Sequence, residues 1–494
     1  MFDYYGGKTM QGVKFYKAKY IIVWDEGQHK TLENGYLGVS GDTVTGFFTK
    51  IPKNAPFEDL GNVAITPGFI NMHTHPCEVY SLKSYREDIG NPYFFEGTLY
   101  DYALVMSLGE RGAYLQAKLN LAEILKSGCT TTLIYGGGYS KTEGELAGEM
   151  GMRAYVGGPV RAGDRYEERS IWDSPDGHSL IYNFDEKEGF ERIEEAQHLL
   201  EEIDGTYEGR IRGIWAPTQT MTCTPAMLKE VRKRADKMNM RITIHGAEAP
   251  IEFESCIRMF GKTPVQLMAD TGMLGEDVTV AHCLYITGHN MINMAGDKDL
   301  RLLGDSKTTV AHCPWALARS GNTLQSFTKY QEYGVNMTIG TDTFPSDFIQ
   351  EMRYAACLGK VVERTTFAVS ARDIFYAATV NGAKALGRND LGRLEKGCKA
   401  DFVVFQLNSI EMSPVRDVVK NIIYSATRHS VDRVYVAGKC VVRDGKVSGV
   451  DEVELARELQ EVSEGSWSRT ASHDRLGRDV DTLSPLACPT YHEK

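Results

Sequence analysis

Short apolar runs alternate with longer amphipathic ones through the middle of this 494-residue chain. After Pro67, eight runs rich in β-branched and aromatic residues read as strands: GFINMHTH, TTTLIYGG, MRAYVGGPV, RIRGIWAP, MRITIHGAE, DVTVAHCLY, TTVAHCPW and VNMTIGTD. Patterns of helical spacing lie between several of them, such as YLQAKLNLAEILKSG, PAMLKEVRKRADKM and PIEFESCIRMFG, and Gly128 supplies a stop signal for the first. This alternation predicts an α/β fold, a (β/α)8 barrel of parallel strands.

Before Pro67 and after about Gly392 the pattern becomes short strands punctuated by glycine, as in VKFYKAKYIIVW and VDRVYVAGKCVVRDGKV. The two segments are expected to join in one small β-sandwich domain. The predicted organisation is residues 1–66 as its N-terminal part, 67–390 as the barrel, 391–450 as its C-terminal part, and 451–494 as a helix followed by a polar tail. From about Ser466 that tail reads as loose chain or an arm onto a neighbouring subunit. No unit of about 20–50 residues repeats, which argues against a solenoid.

Composition narrows the classes. Hydrophobic residues make up 42% and charged residues 24%, ordinary for a globular protein. No apolar run reaches the roughly 18 residues of a membrane span, and the N-terminus lacks a basic start followed by an apolar stretch. A net charge of −11 repels phosphate backbones, so nucleic acid is not expected as a partner. Ten cysteines are scattered without a C-x-x-C pair and read as free thiols, so the expected compartment is the cytoplasm.

Candidate chemistry sits at strand ends. His73 and His75 close GFINMHTH, and residues two apart on a strand face the same side, so their imidazoles converge. Alone, H-x-H is a weak motif that also fits a half-buried polar pair. His245 closes MRITIH, His282 closes DVTVAH and Asp342 closes VNMTIGTD, although only 12 histidines occur in the chain. Barrel active sites gather at the C-terminal ends of the strands. Polar groups meeting there must be paired or bound to metal, because burying them bare is costly. Glu248, three residues beyond His245, can overhang such a centre as a general acid/base; its plainer reading is a helix-start glutamate favoured by the helix dipole.

These residues, in this order, resemble the amidohydrolase superfamily, closest to its branch of aminohydrolases and triazine or urea hydrolases, which includes melamine deaminase and atrazine chlorohydrolase. The matching motifs are TPGFINMHTH (66–75), SGCTTT (127–132), HGAE (245–248), VAHC (280–283), GTD (340–342), NGAKALG (381–387), GRLEKGCKADFVVF (392–405) and VYVAGKCVVRDGK (434–446). The resemblance implies that His73, His75, His245 and Asp342 bind one divalent metal, zinc first, with iron(II) or cobalt(II) as the other candidates. It implies further that Asp342 accepts a proton from the attacking water, that Glu248 protonates the leaving group or a ring nitrogen, and that His282 hydrogen-bonds the water or the substrate. A homo-oligomer acting on a small molecule, away from membranes, is also implied.

Three departures shape the functional expectation. Two-metal relatives carry a lysine at the end of the fourth strand; the corresponding stretch is placed at MRAYVGGPVRAGD, which offers Arg161, either a substrate contact or a surface ion-pair residue. Purine-type deaminases of the branch carry a histidine on the fifth strand, placed at APTQTMTCTP, where Thr218 and Gln219 stand instead. After His312 the chain reads HCPWALARSG, where relatives often have Ser-Asn, so His312 and Trp315 become candidate pocket residues. The aromatic stretch Glu78–Tyr102 reads as an apolar lid or as packing over the barrel. The expected function is metal-dependent hydrolysis of a C–N bond in a small amide, urea or (thio)carbamate. The alternative is an aminohydrolase of an amino-substituted N-heterocycle, such as a triazine or pyrimidine, and a minor one is a non-catalytic scaffold.

Overall fold

The computed structural model describes residues 12–85, 105, 108–162, 184–474 and 476–491. The N-terminal segment supplies β1 (Lys14–Asp25), β2 (Gln28–Ser40), β3 (Thr43–Phe48), β4 (Phe57–Asp59) and β5 (Val63–Pro67). The chain then enters β6 (Phe69–Thr74), β7 (Cys129–Ile134), β8 (Arg153–Val160), β9 (Ile211–Pro217), β10 (Ile242–Gly246), β11 (Val278–His282), β12 (Thr309–His312) and β13 (Asn336–Ile339). Each of the eight runs read from the sequence overlaps one of these strands, β6 to β13.

The eight lie side by side in chain order, paired in parallel. A parallel bridge between Thr74 and Asp342 brings the last strand back to the first, closing a (β/α)8 barrel. Six of the eight strands are buried along their whole length, and β8 and β9 at all but one position each, which explains their near-continuous apolar runs. Helices Gly109–Lys126, Glu186–Ile203, Pro225–Met238 and Phe348–Glu363 pack apolar faces against them.

After the barrel, β14 (Phe402–Gln406), β15 (Val431–Val436), β16 (Lys439–Arg443) and β17 (Lys446–Val447) extend the N-terminal sheet. The two ends of the chain join through β14 and β5, which run antiparallel with Val404 opposite Ile65. The result is a single hydrogen-bonded sheet of nine strands with its own core, including Tyr16, Ile21, Phe402 and Tyr435. Phe402 stacks on Tyr435 with ring centroids 4.3 Å apart.

The C-terminal stretch departs from the loose tail or partner arm expected of it. Helix Glu452–Trp467 lies along helix Gly109–Lys126, with Lys126 Nζ 2.6 Å from the Glu452 carboxylate. Leu483 is buried in a cluster with Tyr80, Tyr85 and Phe344, and the Trp467 ring lies 5.6 Å from that of Tyr85. Buried Leu483 and half-buried Trp467, spaced among polar residues, hold this segment to its own chain. All ten cysteines are free thiols, and among the described residues no helix is long and apolar enough to cross a membrane.

Candidate active site

The strand-end residues converge in the barrel mouth. His75 Nε2 lies 3.2 Å from His245 Nε2. Asp342 Oδ1 lies 3.3 Å from His73 Nε2 and 3.6 Å from His75 Nε2. His73, His282 and Asp342 form a second compact group that shares His73 with the first. Asp342 sits just past β13, and a pair of backbone hydrogen bonds ties it to β6: its N–H donates to His73 O and His75 N–H donates to Asp342 O, both at 2.9 Å. Asn71 fixes the same junction by accepting from Thr341 N–H at 3.0 Å and donating to Thr341 Oγ1 at 2.9 Å.

The donor set fits a divalent cation. Ligands about 2.0–2.1 Å from a tetrahedral centre lie roughly 3.3 Å from one another, which is the spacing found here. The Nδ1 of His73 and both ring nitrogens of His282 are buried with no hydrogen-bond partner among the described residues, a costly state unless another group engages them. Protonation states suit the same role. Burial holds the His73 and His245 imidazoles below the usual histidine range, so their nitrogen lone pairs are free. Burial alone would raise the Asp342 carboxyl, but the hydrogen bond with His73 and the neighbouring His282 and His75 hold it far below the usual carboxylate range. His245 Nδ1 faces Thr218 O at 2.9 Å, so the N–H belongs there and Nε2 turns toward the cluster.

Glu248 overhangs this cluster. Its Oε1 lies 3.7 Å from His282 Nε2, and its Oε2 accepts from Gln219 Nε2 at 3.1 Å. The backbone around the mouth is strained: Ala247, His282, Cys283 and Asp342 all have positive φ, between 51° and 70°. Non-glycine residues take that conformation at a cost of about 1–3 kcal/mol each, and such strain concentrates at functional sites.

Residues 64–441 match the Amidohydrolase family. The chain belongs to this family. At 32% identity over 389 residues it is similar to a 5-methylthioadenosine/S-adenosylhomocysteine deaminase of Thermococcus sibiricus, covering 78% of this chain and 84% of that protein. A 5′-deoxyadenosine deaminase of Methanosarcina barkeri is 28% identical, covering 91% and 97%. Two solved structures share the fold. One is a zinc-bound adenosine deaminase from Xanthomonas campestris, with a TM-score of 0.77 at 23% identity, covering 92% of this chain and 98% of that one. The other is a triazine hydrolase from Arthrobacter aurescens, with a TM-score of 0.76 at 18% identity, covering 92% and 100%.

This amidohydrolase is a hydrolase of carbon–nitrogen bonds, as the motifs led one to expect. The strand ranks, however, need correction. Sheet order makes β8, which ends beside Arg161, the third barrel strand rather than the fourth. Likewise β9, which leads into Thr218 and Gln219, is the fourth rather than the fifth. The fourth-strand end therefore carries Thr218-Gln219 and still offers no lysine, so the one-metal reading rests on those residues and not on Arg161.

The candidate substrate contacts fare unequally. Thr218 Oγ1 donates to Val160 O at 2.8 Å, so its hydroxyl is spent on the scaffold. The Arg161 carbonyl accepts from Arg192 Nη1 at 3.4 Å, tethering the end of β8 to helix Glu186–Ile203. His312 is buried at the end of β12, pushed down to about 3 by burial and by the neighbouring His282. Trp315 packs on Tyr354 with ring centroids 4.2 Å apart, and its backbone N–H donates to Glu351 Oε2 at 3.1 Å. Of the aromatic stretch, residues 78–85 form a turn and a short 3-10 helix, Tyr80–Ser84; residues 86–102 lie outside the described residues.

Two mouth residues escaped the sequence reading. Tyr135 follows β7, packs its ring 4.1 Å from that of His245, and donates its hydroxyl to Pro217 O at 2.8 Å. It ends the run TTTLIYGG, so the strand-end rule that found the histidines also points to it. Glu252 stands four residues after Glu248, one helical turn away, and accepts from Glu248 N–H at 2.7 Å.

Proposed function

We propose that this amidohydrolase is a metal-dependent aminohydrolase that removes an exocyclic amine from an amino-substituted N-heterocycle, with a 6-aminopurine nucleoside as the first candidate substrate. The observation that carries the reading is Glu248, held over the donor cluster within 3.7 Å of His282. The named activities of the relatives supply the substrate class, and they side with the aminohydrolase alternative over the amide, urea or carbamate expectation. The intact donor set speaks against a scaffold protein.

In this reading His73, His75, His245 and Asp342 hold one divalent cation, zinc first. When bound, such a cation lowers the pKa of water from about 15.7 to about 7. Asp342, kept ionised by its histidine neighbours, accepts the proton given up by the attacking water. His282 orients that water against the amine-bearing ring carbon and hydrogen-bonds the oxygen as the carbon becomes tetrahedral. Glu248 protonates the adjacent ring nitrogen and then the departing amine, a role worth about 10²–10⁴ in rate. Gln219, His312, Trp315 and Arg161 are the candidate contacts to the rest of the substrate.

A second reading keeps hydrolysis of an amide, urea or (thio)carbamate. It is favoured by Thr218-Gln219, which stand where purine-type deaminases of the branch carry a histidine. Product mass spectrometry of the zinc-loaded protein separates the two, with 5′-methylthioadenosine, adenosine and amino-triazines against aryl ureas, anilides and thiocarbamates, and Glu248→Gln as the blank. Release of ammonia from an aminoheterocycle is the expected result. Turnover confined to the ureas, anilides or thiocarbamates overturns the deaminase reading.

A further inference from the structure

Glu248, the proton carrier of the proposed function, sits on a turn whose backbone is strained and whose Ala247 O accepts from Leu284 N–H and Tyr285 N–H, both at 2.9 Å. Ala247, directly before it, has φ 53°. The turn is tied across to the chain after β9 by two side-chain bridges. In the first, Gln219 Nε2 donates to Glu248 Oε2 at 3.1 Å. In the second, Thr220 Oγ1 donates to Glu252 Oε1, while Glu252 Oε2 accepts from Glu248 N–H at 2.7 Å. Gln219 and Thr220 are adjacent, and Glu248 and Glu252 are one helical turn apart, so the bridges close a ring between the ends of two neighbouring barrel strands. Thr220 and Glu252 are both fully buried.

A carboxylate buried this way is expensive, and Glu252 has no basic partner among the described ion pairs. An apolar residue at its place on helix Pro250–Phe260 would pack without that cost. Its oxygens are directed at two groups that bear on where Glu248 lies: the Thr220 hydroxyl of the β9 loop and the Glu248 amide. We infer that Glu252, braced by Thr220, is a positioning residue that holds Glu248 in register with His282 and couples the loops after β9 and β10 into one rigid unit. Proton transfer requires placement within about 0.5 Å, and a displacement of 1 Å costs on the order of 100-fold in rate.

This rests on Glu248 as the proton carrier, so the test has one arm independent of turnover. Thr220→Val removes the hydroxyl at nearly constant shape, Thr220→Ser retains it, and Glu252→Gln keeps the volume of the carboxylate. In the zinc-loaded full-length protein, amide hydrogen exchange of the peptide spanning 246–250 is expected to accelerate at least about 10-fold in Thr220→Val and Glu252→Gln, and to stay near wild type in Thr220→Ser. With 5′-methylthioadenosine, kcat is expected to fall about 10-fold in Thr220→Val and about 100-fold in Glu252→Gln, with KM and zinc content unchanged. Equal behaviour of the valine and serine variants in exchange overturns the clamp, as does a loss in which KM, zinc content and kcat fall together. Should Glu252→Gln fail to fold, the Thr220 pair decides. If the wild-type protein does not deaminate the probe, the proposed function fails while the exchange arm still judges the clamp.

Discussion

The two ends of the barrel treat buried charge in opposite ways. At the end where the strands begin, Arg153 makes a bidentate pair with Asp401, at 2.6 and 3.1 Å, and both side chains are almost fully buried. Arg232 reaches Asp277 at 2.7 Å, Arg388 reaches Asp390 at 2.7 Å, and Arg241 caps the carbonyls of Glu276 and Ala385, both at 2.8 Å. At the end where the strands finish, imidazole nitrogens are buried without partners, a buried glutamate keeps an unpaired oxygen, and four non-glycine residues hold positive φ. The floor matches its charges and so contributes stability. The mouth leaves its polar groups unmatched, spending stability on groups free to meet a cation and a substrate.

The sharpest way to separate the ends is to damage each and read both activity and folding. At the mouth, His73→Ala removes a candidate ligand whose polar contact among the described residues is with Asp342, another candidate ligand. Zinc content is expected to fall and activity to drop more than about 1,000-fold, because the lowering of the water pKa by roughly 9 units is forfeited. The melting temperature of the metal-free protein should barely move. Plasma emission spectrometry and thermal melting check both halves. Retained zinc with retained activity would remove His73 from the donor set.

At the floor the expectation reverses. Arg153→Met leaves Asp401 buried with only the Ala437 N–H, at 2.7 Å, as a remaining donor. Stranding a buried charge costs about 3–5 kcal/mol, so urea denaturation should show a loss of that order while kcat per bound zinc stays at the wild-type value. A fall in kcat without a fall in stability would mean that the floor also serves the chemistry.

The contrast explains what could be read from the sequence. All eight strands were legible because buried parallel strands leave apolar runs, and the residues that converge in the mouth were legible because polar residues end those runs. What spacing could not deliver is the rank of a strand in the barrel: Arg161 and Thr218 were each assigned one strand too far along, and only the sheet pairing places them. Glu252 and Thr220 were missed because their link spans 32 residues and depends on two loops meeting. The C-terminal stretch was misjudged for a related reason. Its few apolar residues are too sparse to show periodicity, and while Leu476, Leu486 and Tyr491 stay exposed, Leu483 is buried against Tyr80, Tyr85 and Phe344.

A subtler probe of the mouth uses pH. Glu143, on helix Ser140–Glu149, is buried; its Oε1 accepts from Cys77 N–H at 3.2 Å and its Oε2 has no partner. Burial, with the nearby Glu78 carboxylate adding to it, pushes the Glu143 carboxyl up to about 7 against the bonds that Cys77 makes to it. The folded protein therefore keeps a proton that the unfolded chain gives up above about 4.5. Stability from this group is full below that pH, falls as pH rises, and is lost above about 7, a change of about 3 kcal/mol. Glu143→Gln, which retains an acceptor for Cys77, should remove that share of the slope in melting temperature between pH 4.5 and 7. An unchanged slope would mean that the carboxyl is already ionised in the folded protein.

The smallest effect tests where scaffold ends and site begins. Thr218 stands at the mouth, yet its hydroxyl donates to Val160 O, and it is its backbone carbonyl that orients His245. Thr218→Val deletes the hydroxyl and leaves the carbonyl in place. One neutral hydrogen bond is worth about 1 kcal/mol, so stability should fall by that amount while KM, kcat and zinc content hold. A rise in KM would instead put the hydroxyl in contact with substrate and move the boundary between the two regions one residue deeper into β9.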